Sequence, residues 1–314
     1  MNVLVAGATG VIGRPLVTSL IRGEHQVHAL ARDRGRADEL RRAGAQPHVV
    51  DVFDRDEVVR AARAAEPEVV INHLTALPSD LNIRKYRAAM QPTDRLRGAP
   101  SEHLLQAAAI VGARRVVVQS QSFITAPEGR EIHDESARLY HDAPAQFRDA
   151  VAALAQMERN TLVAAALDPV VLRLGFLYGP GTYFALEGTN TALIRQRRLP
   201  LVAGGAGRSS FLHVEDAAAA TVAALQAGAP GVYNVTDDEP APASQWIPLI
   251  AELLGAKPPR HFPGFLARLA AGEHAVHFAT TLRGNSNDRF KQTFDWRPAL
   301  TSWRTGLQRE LASG

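Results

Sequence analysis

An α/β fold built on a doubly wound parallel sheet, with a smaller C-terminal lobe, is predicted by three observations. An apolar run near the N-terminus stops at a glycine cluster; strand-like and helical patterns alternate through the first half; and after residue 179 the rhythm breaks into Gly/Pro-rich pieces. The chain has 314 residues, 46% of them hydrophobic, enough for one large core or two contiguous ones. The expected division is a first domain over 1–175, its sheet completed by 209–235, and a second lobe from 176–208 and 236–314.

The elements follow in order. Residues 3–6 read as a buried parallel strand. Gly7, Gly10 and Gly13 then form a turn that lets backbone approach a pyrophosphate at a helix N-terminus, which makes the fold Rossmann-type. The following helix carries Ile12, Leu16 and Leu20 along one side and is closed by Gly23. Further strands are expected at 26–31, 48–51, 69–73, 115–119 and 170–174. Loops at 179–182 and 202–207 are rich in glycine and suit the walls of a pocket. Residues 209–216 read as a return to the sheet, the alanine-rich 216–227 as a packed helix, and 244–255 and 264–273 as short helices.

Composition excludes several classes. A net charge of +3 comes with no long basic run, so nucleic acid is not an expected partner. Lys85, Lys257 and Lys291 are the only lysines, and most arginines read as solvated. With no cysteine there is neither a disulfide nor a thiolate nucleophile. His274 and His277 stand at i, i+3 but lack a third ligand at suitable spacing, so no metal is expected. No leader precedes the first strand and no apolar stretch spans a bilayer, which predicts a cytoplasmic protein, monomeric or homodimeric, with no membrane partner.

The GxxGxxG turn, with Thr9 inside it, resembles that of the short-chain dehydrogenase/reductase superfamily, in particular the extended and atypical members grouped with NAD-dependent epimerases and dehydratases. Further resemblance lies in Leu-Arg-Leu-Gly-Phe-Leu-Tyr-Gly-Pro-Gly at 172–181, His-Val-Glu-Asp at 213–216 and Val-Tyr-Asn-Val at 232–235. Asp-Trp-Arg-Pro at 295–298 is similar to a near-terminal family motif, with Asp295 in place of glycine. The resemblance therefore covers essentially the whole chain. It implies cofactor contacts from Gly7, Thr9, Gly10, Val11, Ile12 and Gly13; from Asp51 and Val52 beside adenine; from Leu74, Thr75 and Ala76; and from Gln119, Ser120, Gly175 and Phe176. At the end of the second strand Arg32, helped by Arg34 and Arg36, points to the 2′-phosphate of NADP(H), while Asp33 is the competing signal for NAD(H).

The family's usual acid, Tyr-x-x-x-Lys, is absent. Four residues after Tyr86, Tyr140, Tyr178, Tyr183 and Tyr233 stand Met90, Pro144, Thr182, Glu187 and Asp237. Matching the helix through Glu158 puts Ala150 and Leu154 at the two positions. Ser122, with Ser120 two residues earlier, matches the catalytic serine and suits orienting or polarising a carbonyl rather than protonating it; a structural strand-end role is the alternative. Substrate contacts are expected from Ser122, Phe123, Tyr178, Tyr183, Phe211 and His213, and Tyr140-His141 lies near the altered helix. Phe176 and Phe184 add to a lining suited to a flat ligand.

These features predict an NADPH-dependent ketoreductase without a catalytic tyrosine, its proton supplied by a phenol on the small-molecule ketone substrate. Similarity to atypical reductases of aromatic polyketide antibiotic pathways implies an angucyclinone-like substrate. A non-catalytic NADP-binding redox sensor and a sugar-nucleotide epimerase or dehydratase are the alternatives.

Overall fold

The computed structural model describes residues 1–80, 83–164, 166–226 and 228–312. Its centre is a parallel seven-stranded sheet of β1 (Asn2–Ala6), β2 (Gln26–Ala31), β3 (Gln46–Val49), β4 (Val69–Asn72), β5 (Arg115–Gln121), Asp168–Leu174 and Gly231–Val235. Across the sheet the order is 231–235, 168–174, β5, β4, β1, β2, β3. The winding reverses between β1 and β4, whose pairing runs Val3↔Val69 to Ala6↔Asn72, and in such sheets the crevice beyond the carboxyl ends at that point takes the ligand.

Side-chain alternation along β1 divides the core. Val3 and Val5 face Leu16 and Leu20 of α1 (Gly13–Arg22), together with Ala217 and Ala220 of a helix late in the chain. Leu4 and Ala6 face the other side, towards α3 (Arg55–Ala65), which follows α2 (Arg34–Arg42), and towards α5 (Ala99–Ile110), which follows α4 (Tyr86–Arg97). There they join Val58, Ala62 and Leu104, with Phe147, Val151 and Leu154 of α6 (Ala145–Leu162). Each fully buried aliphatic side chain contributes roughly 1.5–3 kcal/mol to this packing.

The helices that follow are α7 (Thr189–Arg195), α8 (Val214–Ala223), α9 (Ala243–Leu253), α10 (Gly264–Ala271), α11 (Glu273–Thr280), α12 (Asp288–Phe294) and α13 (Trp303–Leu311). A third cluster, containing Phe184, Phe211, Ile247, Trp303 and Leu307, lies under the second half of the chain.

Several boundaries differ from the sequence reading. The third strand is Gln46–Val49 rather than 48–51, and the fourth stops at Asn72. The strand expected from 170 starts at Asp168: Pro169 is tolerated because Gly231–Val235 begins pairing only opposite Val170, so the proline lies where one side of the ladder is open. Residues 209–216 do not return to the sheet. Phe211–His213 pairs instead with Phe176–Tyr178 in a separate ladder, and Val214 already starts α8. The helix read over 216–227 is Val214–Ala223, and residue 227 lies outside the described residues. The single helix expected at 264–273 is two, α10 and α11, broken at Gly272 with φ +89°. Gly23 is the cap residue of α1, but the left-handed position is Glu24, φ 58°.

Candidate active site

The glycine turn has the shape a dinucleotide requires. A Cβ on Gly7, whose φ is +92°, would lie 2.4 Å from the His73 carbonyl oxygen; one on Gly13 would lie 2.2 Å from the Gly7 carbonyl oxygen. The turn can therefore close onto β4 and onto itself only without side chains. Gly10 N–H donates to Gly7 O at 3.0 Å, and Ile12 at the cap of α1 supplies no side-chain acceptor, so no side chain competes for the first-turn amides. Thr9 is half-buried and Gly10 exposed beside them. The second lobe reaches this point: a Cβ on Gly181 would lie 3.1 Å from Val11 Cγ1.

Other positions expected to hold the cofactor gather at the same edge of the sheet with different degrees of freedom. Arg32 follows β2 with its side chain 79% exposed and a single 3.3 Å contact from Nε to Asp33 Oδ2. Asp33 is the N-cap of α2, its Oδ1 accepting from Arg36 N–H at 2.8 Å, and that hydrogen bond lowers its pKa. Arg34 is exposed in the first turn of α2, while Arg36 pairs with Glu39 at 3.2 Å. Asp51 Oδ1 accepts from Phe53 N–H at 3.0 Å, closing a turn, and the Val52 carbonyl lies 3.1 Å from His103 Nδ1. Beyond β4, Leu74 N–H is held by Asn72 Oδ1 and Ala76 N–H by Thr93 Oγ1, with Thr75 exposed between them. Gln119 is half-buried near the end of β5; a Cβ on Gly175 would lie 2.7 Å from the Ser210 carbonyl, and Phe176 N–H donates to that same carbonyl at 2.8 Å.

The two serines separate. Ser120 is fully buried and donates to Glu158 Oε1 at 2.6 Å, while Arg173 grips the same carboxylate through Nε at 2.9 Å and Nη2 at 2.7 Å. This corrects its assignment as a polarising and cofactor-contacting residue: strand alternation turns it under the sheet onto α6, and its hydroxyl is committed there. Ser122 lies just beyond β5, 1% exposed, and its Oγ has no partner.

Ala150 and Leu154, 4% and 2% exposed, are packed into the core with Phe147 and Val151. Beside them lies a group of rings from four parts of the chain. Phe123 stacks on Phe176 at 4.5 Å, and Phe278 of α11 lies 5.9 Å from Phe123 and 5.1 Å from Phe147. His277 sits 6.2 Å from Phe147 and 5.0 Å from Tyr140, so Tyr140 turns inward while His141 is exposed. Burial pushes the His277 imidazole down to about 4, with His274 adding to the effect.

Three expected substrate contacts point elsewhere. Tyr178 is fully buried with its hydroxyl against the helix Trp303–Leu311, where a Cβ on Gly306 would lie 2.0 Å from it. His213 caps α8, Nδ1 accepting from Glu215 N–H at 3.3 Å. Phe211 is a core residue between Phe184, Trp246 and Trp303. The ladder 176–178/211–213 faces Tyr178 and Phe211 into the third cluster, and sets His213, 5.1 Å from Tyr178, at the buried start of α8. Tyr183 is different: its hydroxyl donates to the Pro78 carbonyl at 2.7 Å, tying the 179–188 loop to the segment after β4, and burial pushes its pKa up to about 12.

The sequence reading missed the contribution of α11, although the histidine pair at i, i+3 behind Gly272 signalled a buried helical face. Among the described residues no group of three or more His, Asp or Glu can hold a metal, and no helix is long and apolar enough to cross a membrane.

The model of the NAD dependent epimerase/dehydratase family matches residues 3–236. Over 99% of its length the chain is 48% identical to all of a 3-diazoavenalumate denitrifying reductase from Streptomyces sp. It is 30% identical, over 82% of the chain and 74% of the relative, to a 4-hydroxy-2-methyl-3-oxo-4-farnesyl-3,4-dihydroquinoline-1-oxide ketoreductase from Stigmatella aurantiaca. In fold it is similar to the UDP-glucose 4-epimerase of Thermotoga maritima solved with UDP-glucose: TM-score 0.77, 19% identity, 99% of this chain and 97% of that one covered.

Proposed function

The chain belongs to the NAD-dependent epimerase/dehydratase family, and from that membership we propose that it is an NADPH-dependent reductase that removes the diazo nitrogens of a planar aryl substrate. The observation that carries this reading is the apolar filling of α6, where Ala150 and Leu154 lie buried at the positions of the family's acid pair. The dinucleotide supplies a hydride when bound. A ketone that accepts a hydride also needs a proton on oxygen, and a positioned acid typically contributes about 10²–10⁴-fold to that step. An aryl diazonium cation needs none. Hydride addition at its terminal nitrogen gives a neutral aryldiazene, which loses N2 as its hydrogen ends on the ring carbon. One cation and one hydride thus yield one arene and one N2, with no acid required. Similarity to a denitrifying reductase along the whole chain supports the same chemistry.

In this reading Gly7, Gly10 and Gly13 seat the pyrophosphate, residues 1–175 with 231–235 hold the dinucleotide, and the second lobe closes over the aryl ring. Ser122 orients the substrate, and Phe123 and Phe176 form one wall. Arg32 takes the 2′-phosphate, since its guanidinium is exposed while Asp33 is occupied in capping α2. Replacing Arg32 by alanine is expected to weaken NADPH binding by about 10–100-fold and NADH binding hardly at all, measured by fluorescence titration. Equal losses for both cofactors would remove Arg32 from this role.

The test of the function is isotopic. With a ¹⁵N-labelled aryl diazonium and NADPH, the protein is expected to release ¹⁵N2 in step with NADPH oxidation, above the uncatalysed rate. A second reading, reduction of a ketone carrying a neighbouring phenol, is favoured by the ketoreductase relative. Turnover of such a ketone but not of its O-methyl ether, with no N2 from the diazonium, would establish that reading instead.

A further inference from the structure

The 179–188 loop of the second lobe bridges the mouth of the dinucleotide crevice. Its near end meets the turn after β1, where a Cβ on Gly181 would lie 3.1 Å from Val11 Cγ1. Its far end meets the segment after β4, where Tyr183 Oη donates to the Pro78 carbonyl at 2.7 Å and Thr189 Oγ1 to the Ser79 carbonyl at 3.1 Å. The winding of the sheet reverses between β1 and β4, so a dinucleotide seated on the glycine turn would pass through the gap that this loop spans. The two sides of the tie differ in firmness. The loop is bonded within itself: Thr182 Oγ1 donates to the Gly179 carbonyl at 2.8 Å, Ala185 N–H to the Thr182 carbonyl at 3.2 Å and Asn190 N–H to the Tyr183 carbonyl at 2.9 Å. Phe184 and Ala185, 6% and 3% exposed, anchor it in the second lobe. Opposite, Thr75, Ala76, Leu77, Ser79 and Asp80 are exposed, so the segment after β4 is the side that can move. Two neutral hydrogen bonds hold such a segment down yet break readily.

We propose that Tyr183, aided by Thr189, latches residues 74–80 across the dinucleotide crevice, so that the cofactor enters and leaves only when this tie opens. Tyr183 is then a positioning residue, because its hydroxyl bonds backbone and not ligand. Both ends of the tie are protein atoms, so weakening it speeds entry and exit together and leaves Kd nearly unchanged. A residue that touched the dinucleotide would change Kd instead. The inference rests on the dinucleotide-binding part of the reading above and adds what paces the exchange.

The experiment follows NADPH fluorescence in stopped flow with the full chain: entry on mixing, exit on displacement by excess NADP⁺. Tyr183→Phe is expected to raise both rates about 5-fold, the value of one hydrogen bond, and to leave their ratio within about twofold of native. Tyr183→Phe/Thr189→Val is expected to raise both roughly 20-fold. The opposite change is made by closing the tie covalently. The chain has no cysteine, so in Ser79→Cys/Thr189→Cys dibromobimane can bridge only the two introduced thiols. The bridged protein is expected to exchange NADPH about 10-fold more slowly than the same variant before bridging. Native rates in Tyr183→Phe, a change in Kd without a common change in both rates, or undiminished exchange in the bridged protein would each overturn the proposal. If the phenylalanine variant does not fold, the bridged protein decides. No turnover enters these measurements, so failure to release N2 would sink the diazo reading and leave the latch standing, whereas a native protein that binds no NADPH would sink both.

Discussion

Replacing Glu158 by alanine is expected to lower the unfolding free energy by about 3–5 kcal/mol, the largest loss from any single substitution considered for this protein. Glu158 is 3% exposed and Arg173 4%, and the two meet through paired hydrogen bonds of 2.9 and 2.7 Å. Removing the carboxylate leaves a guanidinium between β5 and α6 that keeps, among the described residues, one hydrogen bond, to the Glu135 carbonyl at 3.3 Å, together with a Ser120 hydroxyl that has lost its acceptor. Ser120→Ala removes only one neutral donor from a carboxylate that Arg173 still neutralises, and should cost about 1 kcal/mol. Urea unfolding of the two variants measures both values. Similar losses for the two would show that the ion pair is not what holds α6 against the sheet.

Stability is expected to peak near pH 6.5 and to fall on both sides. Burial pushes the Asp237 carboxyl up to about 8 from its ordinary value of 3.8, and its Oδ2 is buried without a partner. The folded state therefore holds a proton that the unfolded state has lost, and the associated stability disappears as the pH rises through about 8. His73 and His277 behave in the opposite way. Burial pushes both down to about 4, so between pH 6.5 and 4 the unfolded state binds two protons that the folded state refuses. Below pH 6.5 the two histidines outweigh the one aspartate and acid destabilises; between pH 6.5 and 8 the aspartate sets the slope. The alkaline limb amounts to about 2 kcal/mol between pH 6.5 and 8. Asp237→Asn should abolish that limb and leave the acid one. An unchanged alkaline slope in the variant would place the titrating group elsewhere.

The parts of the site that were legible in the sequence are those whose physics is local. A strand, a turn with glycine every third residue and an amphipathic helix are contiguous in the chain, so their contacts are implied by spacing. Gly7 against His73 and Gly13 against Gly7 realise that implication at 2.4 and 2.2 Å. The absence of an acid pair was equally legible, because no tyrosine has a lysine four residues later. Strand ends were less so. The strand read as 170–174 begins two residues earlier, and the late pairing of Gly231–Val235 shows why Pro169 is tolerated there.

By itself, then, the sequence determined the wound parallel sheet, the glycine turn and the loss of the tyrosine and lysine. Only the tertiary structure decided what surrounds the vacated positions. Ser120 and Ser122 differ by two residues along the chain, yet one is bound to Glu158 on α6 and the other has an unpartnered hydroxyl. Tyr178 and His213 belong to pocket-like motifs, but a short parallel ladder turns Tyr178 into the third cluster and commits His213 to capping α8. His277 and Phe278 reach Phe147 from about 130 residues further along the chain. The reason is physical: helix and turn geometry relate residues a few positions apart, whereas the direction of a buried side chain is set by which distant elements pack against it.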